Sequence, residues 1–357
     1  MPRYRPDIDA IPRYVPGRPI EDVVRELGIT SIDKLASNEH PEPPFPEVLE
    51  AIHAASDGLN RYPDSGVHVL RHAIAEYHGV PPEAVWVGAG SSEILRCSAL
   101  AVGGPGTSAV YASPSFVMYA IGTMISGAEP VTVPLTPGHD HDLDAMLAAL
   151  REDTTMVYVC NPNNPTGGFR SGDDVDAFIS EVPTGTVLII DEAYAEYVTD
   201  PTYRSMVHRA LESPNVLVTR TFSKVYGLAG LRVGYGIGDP DMVATLRTTQ
   251  APFSVTTLGQ VAALEALRHD DRVRDRAAAN AKGRETLVEG LTALGYLVAP
   301  TQANFVYFEP ENGAAALGDR LLSLGIIVRV LGDGVRVSVG TEDENARFLA
   351  AMGDLDA

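Results

Sequence analysis

The stretch TFSKVYGLAGLRVG, from Thr221 to Gly234, lies between two β-rich runs, VLVTR (216–220) and VGYGI (233–237). It holds two hydroxyls (Thr221, Ser223), three glycines (227, 230 and 234) and Arg232, eight residues beyond Lys224. Glycines permit a tight backbone path. Thr221, Ser223 and Arg232 can then converge on an anion. Lys224 has no structural task in such a loop.

Outward from this segment, short apolar runs alternate with amphipathic ones. Strand-like runs occur at 85–87, 109–111, 131–135, 156–160 and 187–190, with helical patterns such as SSEILRCSALAV and LDAMLAAL between them. Continuous apolar strands alternating with helices predict an α/β unit, a mostly parallel seven-stranded sheet covered on both faces. A long helical pattern from about Leu258 to Leu294 breaks the rhythm and leads into FVYF, IIVRV and VRVSVG, a smaller α+β unit. The expected organisation is an N-terminal arm and helix over 1–30 that packs with the small unit, a large domain over 31–252 and a small C-terminal domain over 253–357. Pro2, Pro6, Pro12, Pro16 and Pro19 make the arm extended.

A net charge of −20 argues against a nucleic-acid partner or an anionic membrane surface, since both need a positive face. Any anionic ligand must be held by local groups. Only Cys97 and Cys160 are present, without metal-ligand spacing, which fits a reducing cytoplasm and no metal site. No signal core or spanning run is seen.

Ligands of open parallel sheets bind beyond the carboxyl ends of the strands. Four loops there carry polar residues. GAGSSE (88–93) offers backbone N–H groups at a helix start, yet it is also an ordinary β-to-α turn. Asp191 sits at a strand mouth, or caps a helix over EAYAEY. Tyr194 follows it, and Asn164 lies in NPNNPTG, which alone reads as a turn. A phosphate cradle, a lysine, a carboxylate, a tyrosine and an asparagine together are the parts that hold pyridoxal 5′-phosphate (PLP): Schiff base on the lysine, carboxylate on the pyridine nitrogen.

The ordered set KLASNE, RYPD, GAGSSE, NPNNPTG, DEAYAEY, TFSKVYGLAGLRVGY, QANFVYF and VRVSVG resembles a fold-type I PLP aminotransferase. Within that superfamily it is similar to the histidinol-phosphate aminotransferases and the related aromatic amino acid (phenylalanine) aminotransferases. The resemblance implies Lys224 as Schiff base and proton shuttle, Asp191 on the pyridine nitrogen, and Tyr194 and Asn164 on O3′. It implies Ala89, Gly90, Ser91, Thr221, Ser223 and Arg232 around the phosphate, with Phe116 stacked on the ring. Tyr62 would reach the phosphate of a neighbouring subunit in a homodimer with shared sites. Arg336, helped by Asn38 and Asn304, would clamp a substrate α-carboxylate. Arg329 would meet the phosphate of histidinol phosphate, and Tyr14 of the arm would lie near the substrate.

The implied reaction is a ping-pong transfer from an aromatic amino acid, or from histidinol phosphate, to 2-oxoglutarate. The segment NEHPEPPFPEV departs from the family's NENPFGPSP and places His40 and Glu42 near the substrate entrance. The competing readings are a PLP decarboxylase of a phosphorylated amino acid, which shares the cofactor residues, and a nicotinamide oxidoreductase, which leaves Lys224, Asp191 and Asn164 unexplained. A PLP-fold regulator would need an added DNA-binding domain. The run GHDHDLD (138–144) is expected to be a solvated loop with a helix cap rather than a metal site, and Tyr226 to be packing.

Overall fold

The structure is a computed structural model that describes residues 3–14, 16–29 and 31–356. Pro2, counted above as part of the arm, lies outside the described residues. The strands are β1 (Asp33–Lys34), β2 (Val85–Gly88), β3 (Ser108–Ser113), β4 (Glu129–Pro134), β5 (Thr154–Cys160) and β6 (Val187–Asp191). They continue with β7 (Val216–Thr221), β8 (Gly234–Gly238), β9 (Phe305–Phe308), β10 (Ile326–Ile327), β11 (Arg329–Leu331) and β12 (Gly334–Ser338).

The large sheet has seven strands in the order β2-β8-β7-β6-β5-β3-β4, parallel except for β8. Its central strands are buried on both faces. Val157, Val159, Leu188, Ile190, Val216 and Val218 enter one core, and Met156, Tyr158, Ile189 and Leu217 the other. Burial of each such side chain contributes about 2 kcal/mol, so the register of these strands is strongly specified.

That register aligns the chemistry. Cys160 lies beside Asp191 across β5 and β6, and Asp191 beside Thr219 on β7. Gly88 lies beside Gly234, and Gly234 beside Thr221. The loops after β2, β5, β6 and β7 therefore open on one edge. Gly234 is required there, because a Cβ would come within 2.4 Å of the Ser91 nitrogen.

The second unit is a three-stranded antiparallel sheet, β11-β12-β9, with a separate parallel pair, β1 and β10. Leu35 joins its core, and Val23 of the helix Ile20–Leu27 packs with Ala36 and Ile327. The long helical pattern divides into Thr257–Ala266 and Asp270–Ala293. His269 leaves helical geometry, and Asp270 and Asp271 start a new first turn, where acidic residues favour the helix dipole. Ala262, Ala263 and Ala266 of the first piece belong to the core of the large sheet. The arm is not wholly extended: Ile8–Ala10 form one 3₁₀ turn. Arg5 anchors it by donating to the carbonyls of Met124 and Ile125, at 2.9 and 2.6 Å, at the end of the helix Met118–Ser126. Among the described residues no helix is long and apolar enough to cross a membrane.

Candidate active site

The anion cradle is built from two loops. Gly90, with φ +78°, ends the turn after β2 and starts the helix Ser91–Val102. A Cβ there would lie 2.5 Å from Arg232 Nη2, so only glycine lets the guanidinium rest on the helix start. Arg232 donates to Ser223 Oγ at 3.3 Å and to the Ala229 carbonyl at 3.1 Å. Ser91, Thr221 and Ser223 are buried alongside. The Ala89 N–H is already engaged, donating to Glu93 Oε2 at 2.7 Å.

At the mouth of β6, Asp191 is buried, and each carboxylate oxygen accepts a hydroxyl. Tyr119 donates to one at 2.9 Å, and Thr219 to the other at 3.0 Å. Burial raises the Asp191 pKa, and these two bonds oppose that rise. It caps no α-helix, since the following segment forms only the 3₁₀ turn Ala195–Tyr197. The hydroxyl oxygen of Tyr194 accepts from Asn38 Nδ2 at 3.0 Å. Lys224 Nζ donates weakly to the Ser37 carbonyl, at 3.4 Å, and lies 5.6 Å from the centre of the Tyr194 ring. Burial, then the charge of Arg336, lowers its pKa to about 7.

In the turn after β5, Asn163 does the structural work: it donates to Thr166 Oγ1 at 2.9 Å and accepts from Ser115 Oγ at 2.7 Å. Asn164 is left facing the site, where its Oδ1 accepts from Arg336 Nη1. Arg336 also donates to the Ala36 carbonyl at 2.8 Å and lies beside Arg329 across β12 and β11. Burial lowers its pKa to about 10, with Arg329 adding to the shift and Tyr194 and Tyr14 opposing it. Tyr14 therefore sits within electrostatic reach of Arg336. Asn304 donates to the Asn38 carbonyl at 3.1 Å. Among the described residues, the buried Arg336 Nε and Asn304 Oδ1 have no hydrogen-bond partner. Native interiors rarely leave such groups unmatched, and their position fits a polar ligand between Lys224 and β12.

Residues 31–352 match the family model described as aminotransferase class I and II. The chain belongs to the class I and II aminotransferase family. It is 39% identical over 362 residues to a histidinol-phosphate aminotransferase of Moorella thermoacetica, covering 99% of this chain and 93% of that protein. It is 41% identical over 356 residues to an aromatic amino acid aminotransferase of Streptomyces avermitilis, covering 98% and 96%. A solved histidinol-phosphate aminotransferase from Sinorhizobium meliloti, in complex with pyridoxal-5′-phosphate, superposes with a TM-score of 0.92. It is 29% identical and covers 100% of this chain and 98% of that one.

In this aminotransferase Phe116 is half-buried and meets Tyr119 edge-on, with centroids 5.7 Å apart. Tyr62 stands apart from the other candidates. It is 82% exposed and stacked on Phe253 at 4.7 Å. The 138–144 run is a solvated loop only in part: Gly138 and Asp144 are exposed, but the run also reaches the interior. His141 is fully buried, with Nε2 2.9 Å from the Cys160 carbonyl oxygen, because it fills the space beside the end of β5. Asp142 caps the helix Leu143–Ala148. Among the described residues no group of three His, Cys, Asp or Glu side chains is placed to hold a metal ion.

Three supporting residues escaped the sequence. Tyr119 is one. Glu93, the last residue of GAGSSE, also accepts from Gln250 Nε2 at 3.0 Å and Ser254 Oγ at 2.9 Å, tying the cradle to the 250–254 segment. Arg276 donates to the carbonyls of Val225 and Pro43, and so ties the unusual 40–45 stretch to the residue after Lys224. Each acts across more than fifty residues of chain, beyond any local motif.

Proposed function

We propose that this chain is a homodimeric PLP-dependent aminotransferase, moving the amino group of an aromatic amino acid or histidinol phosphate to 2-oxoglutarate in two half-reactions, with the aromatic donor favoured. One observation carries the reading: Lys224, its pKa lowered to about 7, is within electrostatic reach of both the buried Asp191 carboxylate and the buried Arg336, whose Nε–H is unmatched among the described residues. The donor set fits PLP, with Arg232, Thr221, Ser223, Gly90 and Ser91 for a phosphate, Asp191 for a ring nitrogen, and Tyr194 and Asn164 for a phenolic oxygen. Phe116 provides a stacking face. When bound, PLP supplies an aldehyde for the amine and a ring that accepts electron density from the substrate Cα.

The protein's own residues do the rest. With its pKa lowered to about 7, Lys224 can present a neutral amine near neutral pH, able to take a proton from Cα and return it. Asp191 opposes loss of the ring nitrogen's proton. Arg336 orients a carboxylate through a two-pronged contact, and Arg329 beside it offers a second cation for a donor phosphate. Asn38 and Asn304 hold the floor between β1 and β9. Tyr14 of the arm, exposed and within electrostatic reach of Arg336, is suited to lie near the substrate, and Tyr62, exposed on this chain, is suited to reach a partner subunit's phosphate. We place the chain in the cytoplasm, with an arm ending at 30; the helix Thr257–Ala266 packs in the core of the large sheet, so the second domain division falls after it rather than at 252.

Two outcomes follow from the geometry. The rate of PLP uptake, followed by absorbance, should rise about tenfold per pH unit below pH 7 and level off above it, because the neutral amine is the reactive form and its share grows through a pKa of about 7. Gly90→Ala should weaken PLP binding at least about tenfold in equilibrium titration, since strain at positive φ and the displaced Arg232 act together, each costing about 1 kcal/mol or more.

The deciding experiment is a single half-reaction on the PLP-loaded chain without keto acid, with phenylalanine, histidinol phosphate and a phosphorylated amino acid as separate donors. Conversion to the pyridoxamine form by phenylalanine or histidinol phosphate is expected. Release of CO₂ from the phosphorylated amino acid, without amino transfer, would establish the decarboxylase instead.

A further inference from the structure

Asp191 is held in an unusual way for a group so deep. It is buried at the end of β6, and burial alone favours its neutral form. Among the described residues no cation lies in hydrogen-bond contact with it. Instead two neutral hydroxyls from different elements close on it: Tyr119 from the helix Met118–Ser126, at 2.9 Å on Oδ2, and Thr219 from β7, at 3.0 Å on Oδ1.

Tyr119 is built for that contact. Its ring is fully buried, stacked on Tyr158 at 4.6 Å and 20°, and met edge-on by Phe116 at 5.7 Å. Burial and the neighbouring Asp191 push its phenol far above the usual range, so the hydroxyl always has a proton to donate. The same ring thus touches the carboxylate and the aromatic residue proposed to stack on the cofactor. The other groups facing Asp191 are the buried Cys160 thiol beside it on β5, Glu192 next in the chain, and Tyr194 and Lys224 from the neighbouring loops. Cys160 is pushed up by burial and stays a thiol. Glu192 opposes ionisation of Asp191, while the side-chain hydrogen bonds from Tyr119 and Thr219 favour it, as does the Ala193 backbone N–H.

We propose that Tyr119 is a positioning residue that, together with Thr219, clamps the Asp191 side chain as an oriented carboxylate at the mouth of the sheet. The inference rests on the PLP reading above. There the clamp determines how firmly the ring nitrogen keeps its proton, and couples that to the stacking residue.

The test uses the full chain carrying ¹³C-carboxyl aspartate, with Asp191 assigned by its loss in Asp191→Asn, and ¹⁵N-labelled PLP. In Tyr119→Phe the Asp191 carboxyl signal should titrate at higher pH than in the parent. The ring ¹⁵N signal should move toward the unprotonated position, and the half-reaction kcat should fall about 10- to 100-fold with the donor KM changed less than about twofold. Thr219→Val should move both signals in the same direction, and Thr219→Ser, which keeps the hydroxyl, should restore them. Unchanged Asp191 and ring ¹⁵N signals in both Tyr119→Phe and Thr219→Val would overturn the proposal, whatever the activity. If Tyr119→Phe does not fold, the two Thr219 variants decide it. A chain that takes up no PLP would defeat the functional reading, while the carboxyl titration on that same chain would still decide the clamp.

Discussion

Lys224→Ala is expected to lower the rate of the donor half-reaction by at least about 10⁴-fold while leaving the fold intact. The loss is large because one side chain serves two roles. Its amine is the group to which PLP attaches, and it is also the base whose neutral form is available near pH 7. No neighbour can substitute. Lys34 is paired with Glu39 at 2.9 Å, and the arginines nearby do not deprotonate. The fold should tolerate the change, since among the described residues the Lys224 amine makes one weak hydrogen bond, at 3.4 Å to the Ser37 carbonyl, beside its contact with the Tyr194 ring. Removing a cation that burial disfavours should leave Tm within about 4 °C of the parent. Lys224→Arg should lose as much rate, because it restores charge without a titratable amine. The checks are the rate of absorbance change with phenylalanine and a thermal melt. Turnover retained in the alanine variant would sink the mechanism, and partial recovery with added methylamine would identify the missing proton carrier.

The sheet and most of the site were legible in the sequence because both are written locally. Apolar runs of three to five residues, such as MVYVC and VLII, announce strands buried on both faces. Loops such as NPNNPTG and TFSK hold their chemistry within a few residues of those strand ends. What the sequence did not disclose acts across the fold. Tyr119 reads as one more apolar position of a helix until the register of β5 and β6 brings Asp191 to its hydroxyl. His141 reads as a solvated polar residue because its neighbours are aspartates, and only packing beside Cys160 shows it to be interior. The helical break at His269 falls in the polar run Arg268–Arg272, which reads equally well as a solvated turn of one continuous helix. Arg276 and Glu93 carry charges whose partners lie on other elements.

Arg336→Ala should separate the donors more sharply than any other substitution in the site. In the parent, Arg336 is fixed by Asn164 and the Ala36 carbonyl and lies 5.4 Å from the centre of the Phe305 ring, so its fork is preorganised. It keeps its charge, because a pKa lowered to about 10 still leaves it protonated near neutrality. A phenylalanine carboxylate that loses this contact should forfeit about 3 kcal/mol, a fall of roughly 10²-fold in half-reaction kcat/KM that falls mainly on KM. Histidinol phosphate has no α-carboxylate, so its kcat/KM should fall only about tenfold. Arg329→Ala should show the opposite preference, weakening the phosphorylated donor more than phenylalanine. Measuring both donors on both variants gives a cycle in which the two arginines either divide the anions between them or act as one cluster. Equal losses for both donors in Arg336→Ala would mean that the residue acts through Asn164 on the cofactor rather than on the carboxylate, and would move the specificity of the site from β12 to Arg329 and the arm.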